Sequence, residues 1–240
     1  MFRIGRRPSA RFRVRIAMLD TPPAGKLGEL TAKQLFMLFP TPMFTGLLPD
    51  LSLCDRVEKI IRGLQKAGKG HSSPPGATLA YMTPDDIQNL PEMKELVDIV
   101  MRESGTVLDA FAVKRDSHYI TNMWGNIGSP NTRGNMHVHP NCLLSGLIYI
   151  KTPVNCGPTM FASPRRFLKN LEPSYTQKND LNSDFIILPA EKGRMLIWPS
   201  HIPHAVERGT ANEAEDRITL PFNIMIHGLI DLFTARFDLR

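Results

Sequence analysis

Apolar residues recur at two different periods along this chain, and the change between them divides it. From 51 to 66 they fall at Leu53, Val57, Ile60, Ile61 and Leu64, the three-and-four spacing that gives one face of an amphipathic helix. A second helix is predicted from Pro91, a residue tolerated in the first turn because its missing N–H would have no partner there. It runs to about Phe111, with Leu96, Val97, Ile99, Val100, Val107, Leu108 and Phe111 as its apolar side. From about Ser117 the pattern shortens into β-favouring runs separated by Gly, Pro and Asn: 118–126, 142–151, 159–162, 184–188, 194–198, 203–207 and 217–226. Seven short strands at close spacing predict a double-sheet barrel or jelly roll with the helices packed on one sheet. The expected class is α+β, mainly β.

Between these elements the breakers set the organisation. Residues 19–30 carry Pro22, Pro23, Gly25 and Gly28 and read as a linker. The run L-F-M-L-F-P-T-P-M-F at 35–44 is too short and proline-broken for a membrane helix and is expected as an edge strand on the core. Residues 67–76 are turn formers, with His71 exposed among them, and lack P-loop spacing. The division predicted is 1–30 as a basic, disordered extension and linker and 31–240 as one domain, with helical support over 50–112 and a barrel over 117–227.

Charge changes the picture at one end. The formal net charge is +6, and Arg3, Arg6, Arg7, Arg11, Arg13 and Arg15 account for it; removing them leaves 23 basic against 23 acidic residues. A neutral body gives no support to a nucleic-acid groove. The arginine-rich start reads as a disordered tail or start-site artefact, a mitochondrial-type presequence, or a basic arm for an anionic surface. No apolar run reaches the ~18–20 residues that span a bilayer, and no secretory segment follows the basic start. Cys54, Cys142 and Cys156 are odd in number and lack metal-type spacing, so reduced thiols in a reducing compartment, the cytoplasm, are expected.

Chemistry enters with G-N-M-H-V-H-P-N-C-L-L-S-G-L-I-Y-I at 134–150. In an extended backbone residues two apart face the same way, so His137 and His139 can reach one metal ion, and histidine is the commonest metal ligand. A chance pair is the alternative. His204, in R-M-L-I-W-P-S-H-I-P-H-A-V, begins a predicted strand, whereas the competing His201 lies between two prolines. Thirteen residues on comes R-I-T-L-P-F-N-I, where Arg217 and Thr219 share a face. An arginine pointing into a barrel needs an anion, and its planar fork matches a carboxylate. The alternative for Arg217 is an ion pair with Glu215 or Asp216.

These segments together carry a resemblance. Over roughly 38–226 the chain resembles the Fe(II)- and 2-oxoglutarate-dependent oxygenases, and within them a bacterial and phage subfamily with an H-x-H…H site. The matching motifs are L-F-P-T-P-M-F, W-G-N at 124–126, H-V-H-P-N-C-L-L-S-G-L-I-Y-I, S-P-R at 163–165, G-R-M-L-I-W-P-S-H-I-P-H-A-V and R-I-T-L-P-F-N-I. The resemblance implies a double-stranded β-helix of jelly-roll or cupin-like form, His137 and His204 as Fe(II) ligands, and Arg217 with Thr219 on the distal carboxylate of the cosubstrate 2-oxoglutarate. It implies an O₂-using hydroxylase that releases succinate and CO₂. Most of the superfamily places a carboxylate two residues after the first histidine, completing a two-His, one-carboxylate triad; here His139 stands there, leaving the centre one charge more positive and zinc as an alternative metal.

Asn126 and Tyr149 are candidates for the cosubstrate or substrate, with a structural role as the alternative. Arg165 is a candidate for an acidic substrate, against an exposed turn arginine, and Trp124 for substrate stacking, against a core role like that of Trp198. His118 and His227 are expected as packing or surface groups. The expected partner is a small molecule, amino acid or peptide, with neither nucleic acid nor membrane, and a homodimer is left open. Two rival readings stand beside the oxygenase: a cupin-type dioxygenase independent of 2-oxoglutarate, and a redox-inert, metal-containing jelly-roll binding module.

Overall fold

The computed structural model describes residues 41–240 apart from 73–79, 132, 167–170, 180–181, 213, 233 and 240. The predicted basic extension, the linker and most of the 35–44 run lie outside the described residues. Strand β1 (Phe44–Leu47) is followed by helix α1 (Ser52–Lys66), β2 (His71–Ser72), β3 (Tyr81–Met82), two short 3₁₀ turns and helix α2 (Lys94–Ala110). The strands β4 (Ser117–Met123), β5 (Asn126–Gly128), β6 (Leu144–Lys151), β7 (Thr159–Ala162) and β8 (Phe185–Leu188) come next. Last are β9 (Arg194–Pro199), β10 (His204–Val206), β11 (Arg217–Leu232) and β12 (Ala235–Leu239).

Both predicted helices form. Helix α1 buries Leu53, Cys54, Val57 and Ile61, and the Asp50 carboxylate accepts the Ser52 N–H at 2.8 Å, satisfying one of the amides that a helix start leaves without a partner. The proline that was to open α2 sits in a 3₁₀ turn, Pro91–Met93, and the α-helix proper begins one residue later.

The strands form two sheets. The larger runs β1-β9-β6-β11-β5-β3-β2, with β4 and β12 also paired to the long β11; the smaller runs β10-β7-β8. One-residue alternation in the central strands separates two interiors. On β6, Leu144, Ile148 and Ile150 join Leu53, Val57, Ile61, Leu96 and Leu108 in the helix-facing core. Leu147 and Tyr149, in the other phase, join Phe161, Leu196, Trp198 and Ile202 between the sheets. On β11, Ile218, Leu220, Phe222, Ile224 and Ile226 face the helices, which leaves Arg217, Thr219, Pro221 and Asn223 in the phase that looks between the sheets. Each apolar side chain so buried contributes about 1.5–3 kcal/mol, enough to fix that phase against a one-residue slip.

The architecture is a jelly roll buttressed by two helices, and the pattern misplaces three features. The run expected as one strand over 118–126 is broken into β4 and β5 at Trp124–Gly125. The break falls opposite Pro221, which has no N–H to offer a neighbour, while the Trp124 N–H donates to its carbonyl at 3.1 Å. The last predicted strand continues to Leu232 because residues 228–232 pair with β12. The short strands β2, β3 and β12 escape the pattern altogether, two of them being two residues long. No helix among the described residues is long and apolar enough to cross a membrane.

Candidate metal centre

The histidines are joined by backbone pairing at the edge of the smaller sheet. His204 opens β10, and its main chain exchanges two hydrogen bonds with that of His137, at 3.0 Å in each direction, forming an isolated antiparallel bridge. Two residues on, the His139 N–H donates to the Ser200 carbonyl at 3.2 Å. This holds the H-x-H segment extended, and the i, i+2 geometry turns both rings the same way. Ring centroids lie 5.2 Å apart for His137–His139, 4.4 Å for His137–His204 and 5.0 Å for His139–His204. One nitrogen from each ring lies within 4.8 Å of the others.

The far nitrogens state what the near ones can do. His137 Nδ1 lies 2.9 Å from the Asn135 carbonyl and His204 Nδ1 lies 3.0 Å from the Ile202 carbonyl. A carbonyl only accepts, so in the neutral rings both protons sit on Nδ1 and both Nε2 lone pairs are free for a metal. His139 Nδ1 lies 2.7 Å from Asn223 Oδ1. Burial drives the His204 pKa down to about 3, with the neighbouring His137 and His139 pushing the same way. Burial also lowers that of His139. Neutral imidazole is the form a metal requires.

Trp124 stacks on His139 with centroids 5.9 Å apart, and Trp198 meets His204 edge-on at 4.8 Å. Beside the histidines opens a cavity of about 350 Å³ whose wall includes Arg217, Thr219, Asn126 and Thr159. Arg217 is only 7% exposed. Neither acid that might have paired with it does so: Asp216 is held by Arg62 at 2.9 Å, and Glu215 is exposed. Its Nε and Nη2 have no hydrogen-bond partner among the described residues, nor do Asn126 Oδ1 and Trp198 Nε1 on the same wall. A guanidinium buried with two idle donor nitrogens is costly unless a guest supplies acceptors. A carboxylate, with two oxygens in one plane, fits that fork. The residues present therefore suit both a divalent metal and a carboxylate-bearing cosubstrate.

Residues 122–223 match the sequence family described as "Putative 2OG-Fe(II) oxygenase". Across that stretch, 102 of the 240 residues, the barrel is similar to the 2OG-Fe(II) oxygenase family. Fe(II) and 2-oxoglutarate are the cofactors that define the family. No curated protein sequence matches the chain. Among solved structures, it is similar to a Pseudomonas putida prolyl-4-hydroxylase at 10% identity and a TM-score of 0.55, over 78% of this chain and 94% of that one. It is similar to the epimerase SnoN in complex with Fe3+, alpha ketoglutarate and nogalamycin RO at 12% identity and a TM-score of 0.57, over 83% and 89%. The alpha ketoglutarate dependent carbocyclase SnoK of nogalamycin biosynthesis is similar at 15% identity and a TM-score of 0.55, over 78% and 81%. At such identities the likeness is one of fold, and the fold is the jelly roll.

The cavity gathers most of the predicted site and leaves part of it out. His137, His139, His204, Arg217, Thr219, Asn126 and Trp124 all line the cavity. Tyr149 does not. It stands behind Arg217, whose guanidinium carbon lies 5.3 Å from the centre of its ring. Its hydroxyl is 2.6 Å from Thr159 Oγ1, so it supports the wall rather than forming it; burial raises its pKa against the pull of the Arg217 charge. Arg165 is exposed on the turn after β7 and is absent from the cavity wall, because the chain leaves the sheet there. Trp198, expected in the core, is 2% exposed and also lines the cavity. His201 is exposed, His118 bonds the Met101 carbonyl at 2.8 Å, and His227 stacks on Tyr119.

Asn223, Thr159 and Asn135 were not singled out from the sequence. For Asn223 a signal existed: it is polar and in the same strand phase as Arg217 and Thr219.

Proposed function

We propose that this protein is a non-haem Fe(II)- and 2-oxoglutarate-dependent dioxygenase that hydroxylates an unactivated C–H bond of a small molecule, a free amino acid or a peptidyl side chain. His137, His139 and His204 hold the metal through Nε2. Arg217 grips the distal carboxylate of 2-oxoglutarate with Nε and Nη2, and Thr219 and Asn126 complete that pocket. With both cofactors bound, one oxygen atom of O₂ enters the substrate and the other the succinate formed as 2-oxoglutarate loses CO₂. The chain's residues bind, orient and exclude water: Trp124 and Trp198 cover the ligand rings. Three neutral ligands leave the dipositive ion uncompensated, which favours a dianionic cosubstrate.

The observation that carries this reading is the buried Arg217, whose Nε and Nη2 have no hydrogen-bond partner among the described residues, in the cavity that the three histidines line. A cosubstrate-independent cupin has no need of such a clamp, and a binding module has no need of open metal positions. Its three cysteines, unpaired in the structure, suit a reducing compartment such as the cytoplasm.

Anaerobic addition of Fe(II) and 2-oxoglutarate should give a weak visible metal-to-ligand charge-transfer band, and the Arg217→Ala variant should lose it. Screening amino acids and peptides for succinate release then identifies the substrate. A folded, iron-loaded protein without the band would remove the oxygenase reading. Activity surviving in Arg217→Ala would favour the cupin.

A further inference from the structure

We infer that Asn223 is a positioning residue that fixes the proton of His139 on Nδ1 and so makes this third histidine a metal ligand; the inference rests on the metal site proposed above. His137 and His204 are given their tautomers by main-chain carbonyls, which any sequence would supply. His139 differs, because the group facing its Nδ1 is a side-chain amide that could present either an oxygen or an NH₂.

The surroundings of Asn223 choose between them. It is 6% exposed, and all its side-chain bonds are made inside the fold. Its Oδ1 lies 2.7 Å from His139 Nδ1 and accepts the Ser145 hydroxyl at 2.9 Å. Its Nδ2 donates to Asn122 Oδ1 at 2.8 Å, which is also within 3.0 Å of the Thr121 hydroxyl. With the amide reversed, NH₂ protons would face His139 Nδ1. The ring proton would then sit on Nε2, and that nitrogen could not bind a metal. Asn122, on the neighbouring strand β4, therefore reads out the amide, the amide reads out the imidazole, and the imidazole presents its lone pair to the cavity.

This device is specific to a histidine in the third position, since a carboxylate ligand has no tautomer to set. The acceptor is also neutral, so it orients the ring without restoring the negative charge a carboxylate ligand would bring.

Two measurements test the assignment. Long-range ¹H–¹⁵N correlation spectra of the full-length, metal-free protein at pH 7.5 should report His139 as the Nδ1–H tautomer, and in Asn223→Leu the Nε2–H form should gain. An Nε2–H tautomer in the wild type overturns the proposal. Anaerobic competition for Fe(II), and separately for Zn(II), against a chelating dye should show Asn223→Leu weakened about 10–100-fold and Asn223→Asp at or above wild-type affinity. In a His139→Ala background the Asn223→Leu change should alter affinity by less than about 2-fold. An equal loss in both backgrounds would mean that Asn223 acts only through packing and would overturn the proposal. If Asn223→Leu does not fold, the wild-type tautomer and the Asn223→Asp affinity decide. A wild type with the expected tautomer that binds neither metal would overturn the proposed enzyme and with it the ligand role of His139, whereas an Nε2–H wild type that binds metal overturns the Asn223 assignment alone.

Discussion

His204 is 7% exposed and stays neutral down to about pH 3, a state that serves a ligand and is a liability in acid. Its folded pKa lies below the ~6.5 of an unfolded histidine, so between those values the unfolded chain takes up the proton first and stability falls as pH drops. Above about pH 6.5 the penalty vanishes. In the metal-free protein this group should account for about 2 kcal/mol of lost stability between pH 7.5 and 5. Urea unfolding at both values should show that loss in the wild type, and a smaller one in His204→Asn. Arg217 carries the second prediction at this scale. Arg217→Lys keeps the charge and loses the planar fork, and at about 1.5–3 kcal/mol for a charge-assisted bond the KM for 2-oxoglutarate should rise at least tenfold while the fold is retained. Neither property is readable from the residue alone. Asp216 is Arg217's neighbour in sequence, yet it pairs with Arg62 of α1 at 2.9 Å, which leaves the fork without that acid.

Strands β6 and β11 are the elements on which the site depends, and their alternation is visible in L-S-G-L-I-Y-I and R-I-T-L-P-F-N-I. Apolar side chains in one phase pack on the helices, and the other phase delivers Arg217, Thr219 and Asn223 between the sheets. The Phe222 ring lies over Gly146, its partner across the two strands, where an added Cβ would lie 2.0 Å from Phe222 Cζ. Gly146→Ala should therefore cost about 1–3 kcal/mol by overpacking, and Phe222→Leu introduced with it should recover part of that loss; denaturant unfolding of the single and double variants measures both. The pattern reads such faces well and strand ends poorly. Pro221 shows why: its missing N–H ends a neighbouring strand, an effect on β4 and β5 that begins almost a hundred residues further along the chain.

Among the described residues, the two sheets hold around one cavity polar groups that have no partner there. Ligands that satisfy them should stabilise the protein by mass action, at about 2.7 kcal/mol for a ligand present at a hundred times its Kd. Under anaerobic conditions Fe(II) with 2-oxoglutarate should raise the melting temperature more than Fe(II) alone. EDTA should reverse both shifts, and Arg217→Ala should lose only the 2-oxoglutarate increment.

The sequence by itself determined the helix faces, the alternation of the central strands, and the turning of His137 and His139 to one side, because these follow from local backbone periods of 3.6 and 2. It also carried motifs that resemble those of the 2OG-Fe(II) oxygenases. The tertiary structure decided which faces meet. It paired His204 with His137 across 67 positions of chain, gave Asp216 to Arg62, withdrew Tyr149 behind Arg217, and brought Asn223 to His139. Each of these is a contact between segments far apart in sequence, chosen by strand register and burial, and no local period encodes it.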